Sequence, residues 1–534
     1  MRVTFVGIGW ENLGISLLSA LAKREGHTVS LAYSTALFND RYNLCVPGLA
    51  RLFDDRKQVL DMIQAQRPDV VAFSAMTSTV QWMLGIAQDV KALNPDIKTV
   101  FGGVHVSAVP DQMLQYPCVD YVCIGEGDIA FPLILRQIEQ AQEMRPIVNT
   151  CYKTADGRVI KGAGNVFIRD LDSLPFFDKT IWEEHIRIAD VYFTLSSRGC
   201  PYQCTYCFNN YYAGLHGAST KQFMRQRSVD HMMGELLQAK KKYRVKFIDF
   251  EDDIFIMNQD WLESFLDRYK REICLPFHCN VHPVFVNERN ARILADAGCQ
   301  FVQMGIQSMD DDYKRQVLRR QDRTEHIEKA LGVLHKNHLK VKADHMFALP
   351  AEPLDAQEKA MAVYRRQTPY RIQTFWTHYS PGLALNQYAL QQGILSLEEL
   401  EKIHKGLETN FYREGHNLSR KRQKYYGAYE AYFKLLPLLP ASLRYKVSPR
   451  IFFPVPIGLT HLFMLVFDVT AGLFKANPDH WGYARHYLYH LGKSIGRCFG
   501  LKFGPATKIH SDAFGKNTRN NKVKPGAVTP AVRS

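Results

Sequence analysis

The chain has no long uninterrupted apolar run, few cysteines and no internal repeat, and each absence removes a class of protein. Its 534 residues hold 11 cysteines, too few and too scattered for a disulfide scaffold. The longest greasy stretch, from Ile451 to Phe474, is broken by Pro454, Pro456, Gly458, His461 and Asp468, whereas a membrane-spanning helix needs about 20 nearly continuous apolar residues. The start, MRVTFVGIGW, lacks a basic region followed by a leader-like apolar stretch. A reducing cytoplasm is the expected compartment. With 46% of residues apolar and 22% charged, disorder and fibre are excluded and there is material for large cores.

Positive charge is in excess, Lys and Arg outnumbering Asp and Glu by 67 to 53 for a net charge of +14, but it is unevenly placed. Residues 501–534 carry seven basic side chains against Asp512 alone and show no apolar period, the pattern of a flexible, solvated basic tail. Between Arg413 and Arg450 nine basic residues stand against Glu414 and Glu430, interleaved with Tyr425, Tyr426, Tyr429, Tyr432 and Phe433. Basic and aromatic residues together serve nucleic acid or an anionic membrane surface. The sequel, IFFPVPIGLTHLF and then LFMLVF, is more apolar than a nucleic-acid arm requires. A peripheral membrane contact, a greasy lid or an internally packed helix is therefore expected, and nucleic acid is not. His461 and Asp468, seven apart, share a helical face and are placed to hydrogen-bond each other.

Residues 1–140 alternate short apolar runs (VTFVGI, TVSLAY, VVAFSAM, TVFGGV, YVCIGEG) with helical stretches, the pattern of an α/β doubly wound parallel sheet. Ligands of such sheets sit beyond the carboxyl ends of the strands, where Gly7, Ser74, Gly102, Gly103 and Gly125 fall. No GxGxxG follows the first strand, which argues against a dinucleotide. Residues 141–190 read as a connector, with YKTADGRV as a hairpin and LDSLPFFD as an extended segment. Over 191–390 the strands YFTLSS, VKFIDF, FHCNVHP, FVQMGIQS, VKADHMFAL and IQTFWTHYS alternate with helix-length stretches. Six βα units in a row predict a full or partial (βα)6 barrel with its chemistry at the carboxyl-end loops. Residues 391–500 turn helical, basic and apolar.

After the first of those strands, Ser197-Arg-Gly-Cys-Pro-Tyr-Gln-Cys-Thr-Tyr-Cys-Phe208 places Cys200, Cys204 and Cys207 in a C-x3-C-x2-C spacing. Three thiolates on one tight loop hold three corners of a cubic iron–sulfur cluster and leave the fourth iron open to substrate chemistry. Zinc, the main rival, wants four ligands in paired motifs, and no second pair stands nearby. The sequence resembles the radical S-adenosylmethionine (SAM) superfamily at this loop, including Tyr206 before the third cysteine. The likeness continues through Glu251-Asp252-Asp253 after the second strand, Gly305-Ile-Gln307-Ser308 at the end of the fourth, and Phe347-Ala-Leu-Pro-Ala-Glu352, similar to a Gly-rich segment with Ala in place of Gly. The resemblance implies a 4Fe-4S cluster on the three cysteines and S-adenosyl-L-methionine among Tyr206, Phe208, Asp252, Asp253, Gln307, Ser308 and Glu352. Asp252 and Asp253 also suit a strand end or helix cap. His278, His282 and His345 lie on barrel strands, with cavity and core roles both open.

The amino-terminal region resembles a branch of these enzymes that carries a cobalamin-binding domain before the barrel. The match rests on Ser74-Ala-Met76-Thr77, Gly102-Gly103-Val-His105, Gly125-Glu126-Gly127 and LDSLP. It implies cobalamin among Ser74, Met76, Thr77, Gly102, Gly103, His105, Gly125, Glu126 and Gly127. Domains that ligate cobalt from the protein use Asp-x-His-x-x-Gly, but LAYSTALFNDRYN has no histidine, so no lower histidine ligand is expected. His105 in its GG-x-H turn is expected to bond backbone or cofactor periphery. The activity implied is methylation of an unactivated carbon on a lipophilic or bulky small-molecule substrate, with a reducing electron donor as a partner. Two other readings stay open: a radical cyclase or rearrangement enzyme without methyl transfer, and a cobalamin-binding sensor whose cluster is structural.

Overall fold

The computed structural model describes every residue except 41–43, 141–144, 155, 165, 408–417, 457, 461, 462, 465, 468, 469, 471–477, 502 and 508–534. His461, Asp468 and most of the expected basic tail therefore lie outside the described residues.

The chain opens with β1 (Arg2–Ile8), α1 (Leu13–Arg24), β2 (Thr28–Ser34), α2 (Arg56–Gln66), β3 (Val70–Ser74), α3 (Val80–Leu93), β4 (Lys98–Gly102), β5 (Tyr121–Cys123) and α4 (Gly127–Glu139). The strands are near-continuous apolar runs because both sheet faces are covered. On one face Val6, Val71, Phe73 and Phe101 pack with residues of α2 and α3. On the other, Val3, Phe5 and Ala72 join Ile15, Phe131 and Trp182 in a core that runs on into the barrel. The five strands are parallel in the order β2-β1-β3-β4-β5. Its switch point, where a ligand crevice opens, lies at the carboxyl ends of β1 and β3. The hairpin predicted at YKTADGRV exists as β6 (Thr150–Lys153) and β7 (Val159–Lys161), antiparallel on β5. It belongs to this sheet, so the sheet runs past the boundary expected at residue 140. The hairpin covers what would otherwise be an open edge at β5, and Cys151 and Tyr152 are fully buried there.

The second sheet holds β8 (Tyr192–Thr194), β9 (Ile248–Phe250), β10 (Phe277–Val281), β11 (Cys299–Gln307), β12 (Lys340–Phe347) and β13 (Arg371–Trp376), all parallel and in chain order. This is the partial barrel expected from six βα units. Around it run α5 (Phe208–Leu215), α6 (Val229–Tyr243), α7 (Gln259–Glu272), α8 (Glu288–Asp296), α9 (Thr324–Lys336) and α10 (Ala356–Arg366).

A partial barrel leaves the outer strand β13 in need of a cover, and the carboxyl-terminal region supplies one. It contains α11 (Leu397–His404), α12 (Arg420–Leu435) and α13 (Pro478–Cys498). Tyr426, Tyr429, Tyr432 and Phe433 of α12 are buried. Trp376 Nε1 and Thr374 Oγ1 of β13 donate to Glu430 at 2.9 and 3.0 Å, and Arg365 Nε donates to the Tyr432 hydroxyl at 2.8 Å. The aromatic residues weighed as a membrane or nucleic-acid surface are thus barrel packing, while Arg420, Lys421, Arg422 and Lys424 form the solvated first turns. The tail expected from residue 501 is docked as far as Thr507, which is buried, donates from its backbone to Glu183 O at 2.9 Å and accepts from Ile188 N at 3.1 Å. Among the described residues no helix is long and apolar enough to cross a membrane.

Candidate active site between the two mouths

The cysteine loop leaves β8 at the carboxyl mouth of the barrel. Gly199 starts it with φ at +91°, and a side chain there would come within 2.8 Å of Phe223 O, so only glycine suits the turn. Thr205 ties the far side down, donating from its backbone to Leu318 O at 3.1 Å and from its hydroxyl to Val317 O at 2.9 Å. Cys207 then caps α5. Burial pushes the Cys200 thiol up to about 12 and the Cys207 thiol up to about 11, with Asp253 and the neighbouring thiols adding to the effect. Cys204 is raised by burial too, against the pull of Arg320. Thiols this reluctant to ionise need a strongly cationic centre to become thiolates. Among the described residues no three His, Cys, Asp or Glu side chains converge on a single ion.

Around the loop, polar groups are bonded chiefly to one another. The buried Arg320 donates to the Tyr206 hydroxyl at 2.8 Å, to Asp322 Oδ1 at 2.7 Å and to Gly305 O at 2.9 Å. Tyr202 stacks on His282, ring centroids 4.2 Å apart. Asp252 is buried and accepts from Ser196 N and Oγ and from Ser197 Oγ, tying the end of β8 to that of β9. Asp253 is exposed and accepts from Asn209 at 2.6 Å. Phe208 stands at the first turn of α5. Gln307 sits at a bulge of β11 with φ at +66°. Ser308 donates to Glu352 at 2.6 Å, and Gln357 bridges Glu352, at 3.0 Å, to His345, at 2.8 Å. Burial holds Glu352 up at about 8 and His345 down at about 4. His278 is held by Asp249 at 2.6 Å.

The opposing mouth is made of small residues. Gly9 ends β1 with φ at +66° and open space around it, and Met76 beyond β3 is exposed, 45%. Between them lies the switch point of the sheet, and beside it His486 of α13 bonds Gly9 O at 3.1 Å. Ser74 pairs with Gly102 in register, and Ala75 N donates to Gly102 O at 2.8 Å. Gly103 has φ at +100°, and a side chain there would lie 2.6 Å from Ala75 O. His105 is buried, bonds Thr77 Oγ1 at 3.1 Å and is pushed down to about 4 by burial. The neutral imidazole, tied to the Thr77 hydroxyl, packs beneath the sheet end.

Gly125 and Glu126 face the barrel, and Gly127 packs within the amino-terminal domain. Gly125 leaves room for the His216 ring, Gly127 lies against Leu18, and Glu126 pairs with Arg225 at 2.7 Å and Arg198 at 3.2 Å. Asp128 binds Arg198 as well. Tyr211 of α5 donates to Ser107 O at 2.9 Å. One helix that starts at the third cysteine thus touches the carboxyl end of the amino-terminal sheet. Arg198, Arg225, Arg320 and Asp322 escape a reading of the sequence because nothing local distinguishes a buried, paired arginine from a solvated one.

Residues 3–135 match the B12 binding domain family, and residues 194–362 match the Radical SAM superfamily, together more than half of the chain. The chain is a radical SAM protein with a B12 binding domain. It is similar to an uncharacterized methyltransferase of Pyrococcus horikoshii, 25% identical over 390 residues that cover 71% of this chain and 82% of that protein. It is also similar to the anaerobic magnesium-protoporphyrin IX monomethyl ester cyclase of Rubrivivax gelatinosus, 24% identical over 389 residues, 70% of this chain and 64% of that one. The cobalamin-dependent S-adenosylmethionine radical enzyme OxsB, solved with aqua-cobalamin and S-adenosylmethionine bound, shares the fold with a TM-score of 0.62 at 14% identity, over 93% of this chain and 80% of that one. The radical SAM match begins at Thr194, the last residue of β8, and takes in the cysteine loop and Glu352.

Proposed function

We propose that this radical SAM protein methylates an unactivated carbon of a small molecule, using a 4Fe-4S cluster, S-adenosyl-L-methionine and cobalamin. The observation that carries the reading is the placement of the two mouths. The cysteine loop at the end of β8 and the carboxyl end of the amino-terminal sheet are joined through α5, tied by Tyr211 to Ser107 and by Glu126 to two arginines. When bound, the cluster with S-adenosyl-L-methionine supplies a carbon-centred radical, and cobalamin a transferable methyl group.

The chain's own part is position and exclusion of water. Cys200, Cys204 and Cys207 hold the cluster, and Thr205 and Gly199 fix the loop that carries them. Asp253 and Gln307, at the carboxyl ends of their strands, are the groups assigned to S-adenosyl-L-methionine. Asp252, Ser308 and Glu352 position the strand ends from behind, and Tyr206 does the same for the loop through Arg320. Gly9, Ser74, Met76 and Gly103 shape the crevice assigned to cobalamin, with Thr77 and His105 packed beneath it. The lipophilic substrate expected from the carboxyl-terminal region loses its aromatic half, since those rings pack on β13.

A cyclisation on the same cofactors is the second reading, and the similarity to the Rubrivivax cyclase favours it. Oxygen-free reconstitution with iron, sulfide and cobalamin, followed by reduction and mass spectrometry, separates the two. Deoxyadenosine with S-adenosylhomocysteine is expected for methylation. Deoxyadenosine alone overturns it in favour of cyclisation, and neither product returns the sensor.

A further inference from the structure

Resting on the proposed function, the cysteine loop has to receive an electron from outside, and a cavity directly behind it offers a place for it to enter. A cavity of about 810 Å³ opens behind the loop, walled by Pro201, Tyr202 and Gln203 on one side and by Arg315, Arg319 and Arg323 on the other. The first three lie between Cys200 and Cys204, so the wall between cavity and thiols is the loop itself. Buried Arg320 forms part of the floor and bonds Tyr206, the neighbour of Cys207.

The rim is charged and exposed. Arg315 is paired with Asp312 at 2.7 Å, and Asp311 is held by Thr324 N at 2.8 Å and Lys314 at 3.1 Å. Arg319 and Arg323 make no ion pair among the described residues, and both are exposed. Sites for small ligands enclose most of the ligand's surface in a largely apolar pocket. An open bowl rimmed with unpaired guanidiniums suits instead a small, transient, charge-steered protein contact, the form that redox encounters take. The +14 net charge of the chain adds long-range attraction for an acidic partner.

We propose that this arginine-rimmed cavity is the docking site of an acidic one-electron carrier protein, which passes one electron through the cysteine loop to the cluster and is itself oxidised by one electron.

The test uses the full chain reconstituted with its cluster, as wild type and as the Arg319→Glu/Arg323→Glu double variant. Reduced flavodoxin, an acidic carrier, and dithionite serve in turn as reductants, and bleaching of the cluster absorbance is followed by stopped flow at low and high salt. The variant is expected to lose about tenfold or more of the flavodoxin rate constant at low salt, with the gap closing as salt screens the charges. Its dithionite rate should match wild type, which controls for folding and cluster content. The Arg319→Gln/Arg323→Gln variant should fall between the two. Equal flavodoxin rates at low salt, or a wild-type rate indifferent to salt, overturn the docking site alone. A wild-type chain with no chromophore that dithionite bleaches overturns the proposed function, and the docking site with it.

Discussion

The two mouths that are joined through α5 are built by opposite means. At the barrel, function is held by side chains: Arg320 binds Tyr206 and Asp322, Asp252 binds two serines, and Glu352 joins Ser308 to Gln357 and His345. At the amino-terminal sheet, function is shaped by their omission, with Gly9, Gly102, Gly103 and Ala75 at the strand ends. The difference follows from what each mouth must accommodate. A cluster with an open iron needs thiols fixed to a fraction of an ångström, and a buried polar network with every member satisfied gives that rigidity. A corrin needs a wide crevice with backbone at its floor, and glycine provides it at the cost of a chain that is easily over-filled.

The sharpest break of this comparison is chemical. Cys204→Ala removes one of the three thiols proposed to hold the cluster, and the brown chromophore and all cleavage of S-adenosyl-L-methionine should vanish while cobalamin still binds. Absorbance spectra and deoxyadenosine analysis check it; surviving cleavage would refute the cluster assignment. Gly103→Ala is the reciprocal experiment. The added carbon would stand 2.6 Å from Ala75 O in a backbone with φ at +100°, so the ends of β3 and β4 must part. A loss of about 2 to 4 kcal/mol of stability is expected, and cobalamin binding should be lost with it, while the reconstituted cluster keeps its absorbance. If cobalamin binds unchanged, the crevice has been placed wrongly.

The same contrast decides how much was legible in the sequence. The cysteines announce themselves because three thiols at that spacing serve few other purposes, and the six strands because each apolar run was bounded by helix-length stretches. At the sheet end the legible signal is short motifs rich in glycine and other small residues, which mark where backbone approaches but not what approaches. Glu126 was grouped with cobalamin for its place between two glycines, yet its carboxylate turns to Arg198 and Arg225. Both arginines come from beyond the connector, so no local pattern could pair them. Tyr425 to Phe433 shows the converse limit. A basic, aromatic helix has the same composition whether its rings meet lipid or a barrel strand, and only the unfilled edge at β13 decides it.

Glu126 gives a smaller, pH-dependent test of how firmly the mouths are joined. Burial raises its carboxyl, but Arg198 and Arg225 outweigh that and hold it below its ordinary value. The stability this adds is present above the unfolded value of about 4.3 and is lost as pH falls through the lower folded value. Glu126→Gln leaves two guanidiniums short of a partner, and a loss of about 2 kcal/mol is expected at pH 7, shrinking toward pH 4. Urea unfolding of the variant against wild type at the two pH values measures it. A loss as large at pH 4 as at pH 7 would show that the carboxylate's charge is not what joins the domains.

The smallest effect has the opposite sign. Where the resemblance places glycines, the segment after β12 carries Ala348 and Ala351, and both adopt the left-handed backbone those glycines would favour, with φ at 59° and 56°. An alanine there costs roughly 1–2 kcal/mol, against about 0.4–1 kcal/mol that it saves by stiffening the unfolded chain. Ala351→Gly, at the exposed position of the two, should therefore stabilise the barrel by about 0.5 kcal/mol, read as a higher urea midpoint with the slope unchanged. The barrel mouth thus keeps a side chain even where its backbone would do better without one, as the sheet end does at Ala36 and Phe38 beyond β2, with φ at 48° and 57°. A lower midpoint for Ala351→Gly would mean that the methyl group packs more than it strains, and that the turn before Glu352 is held by contact rather than by conformation.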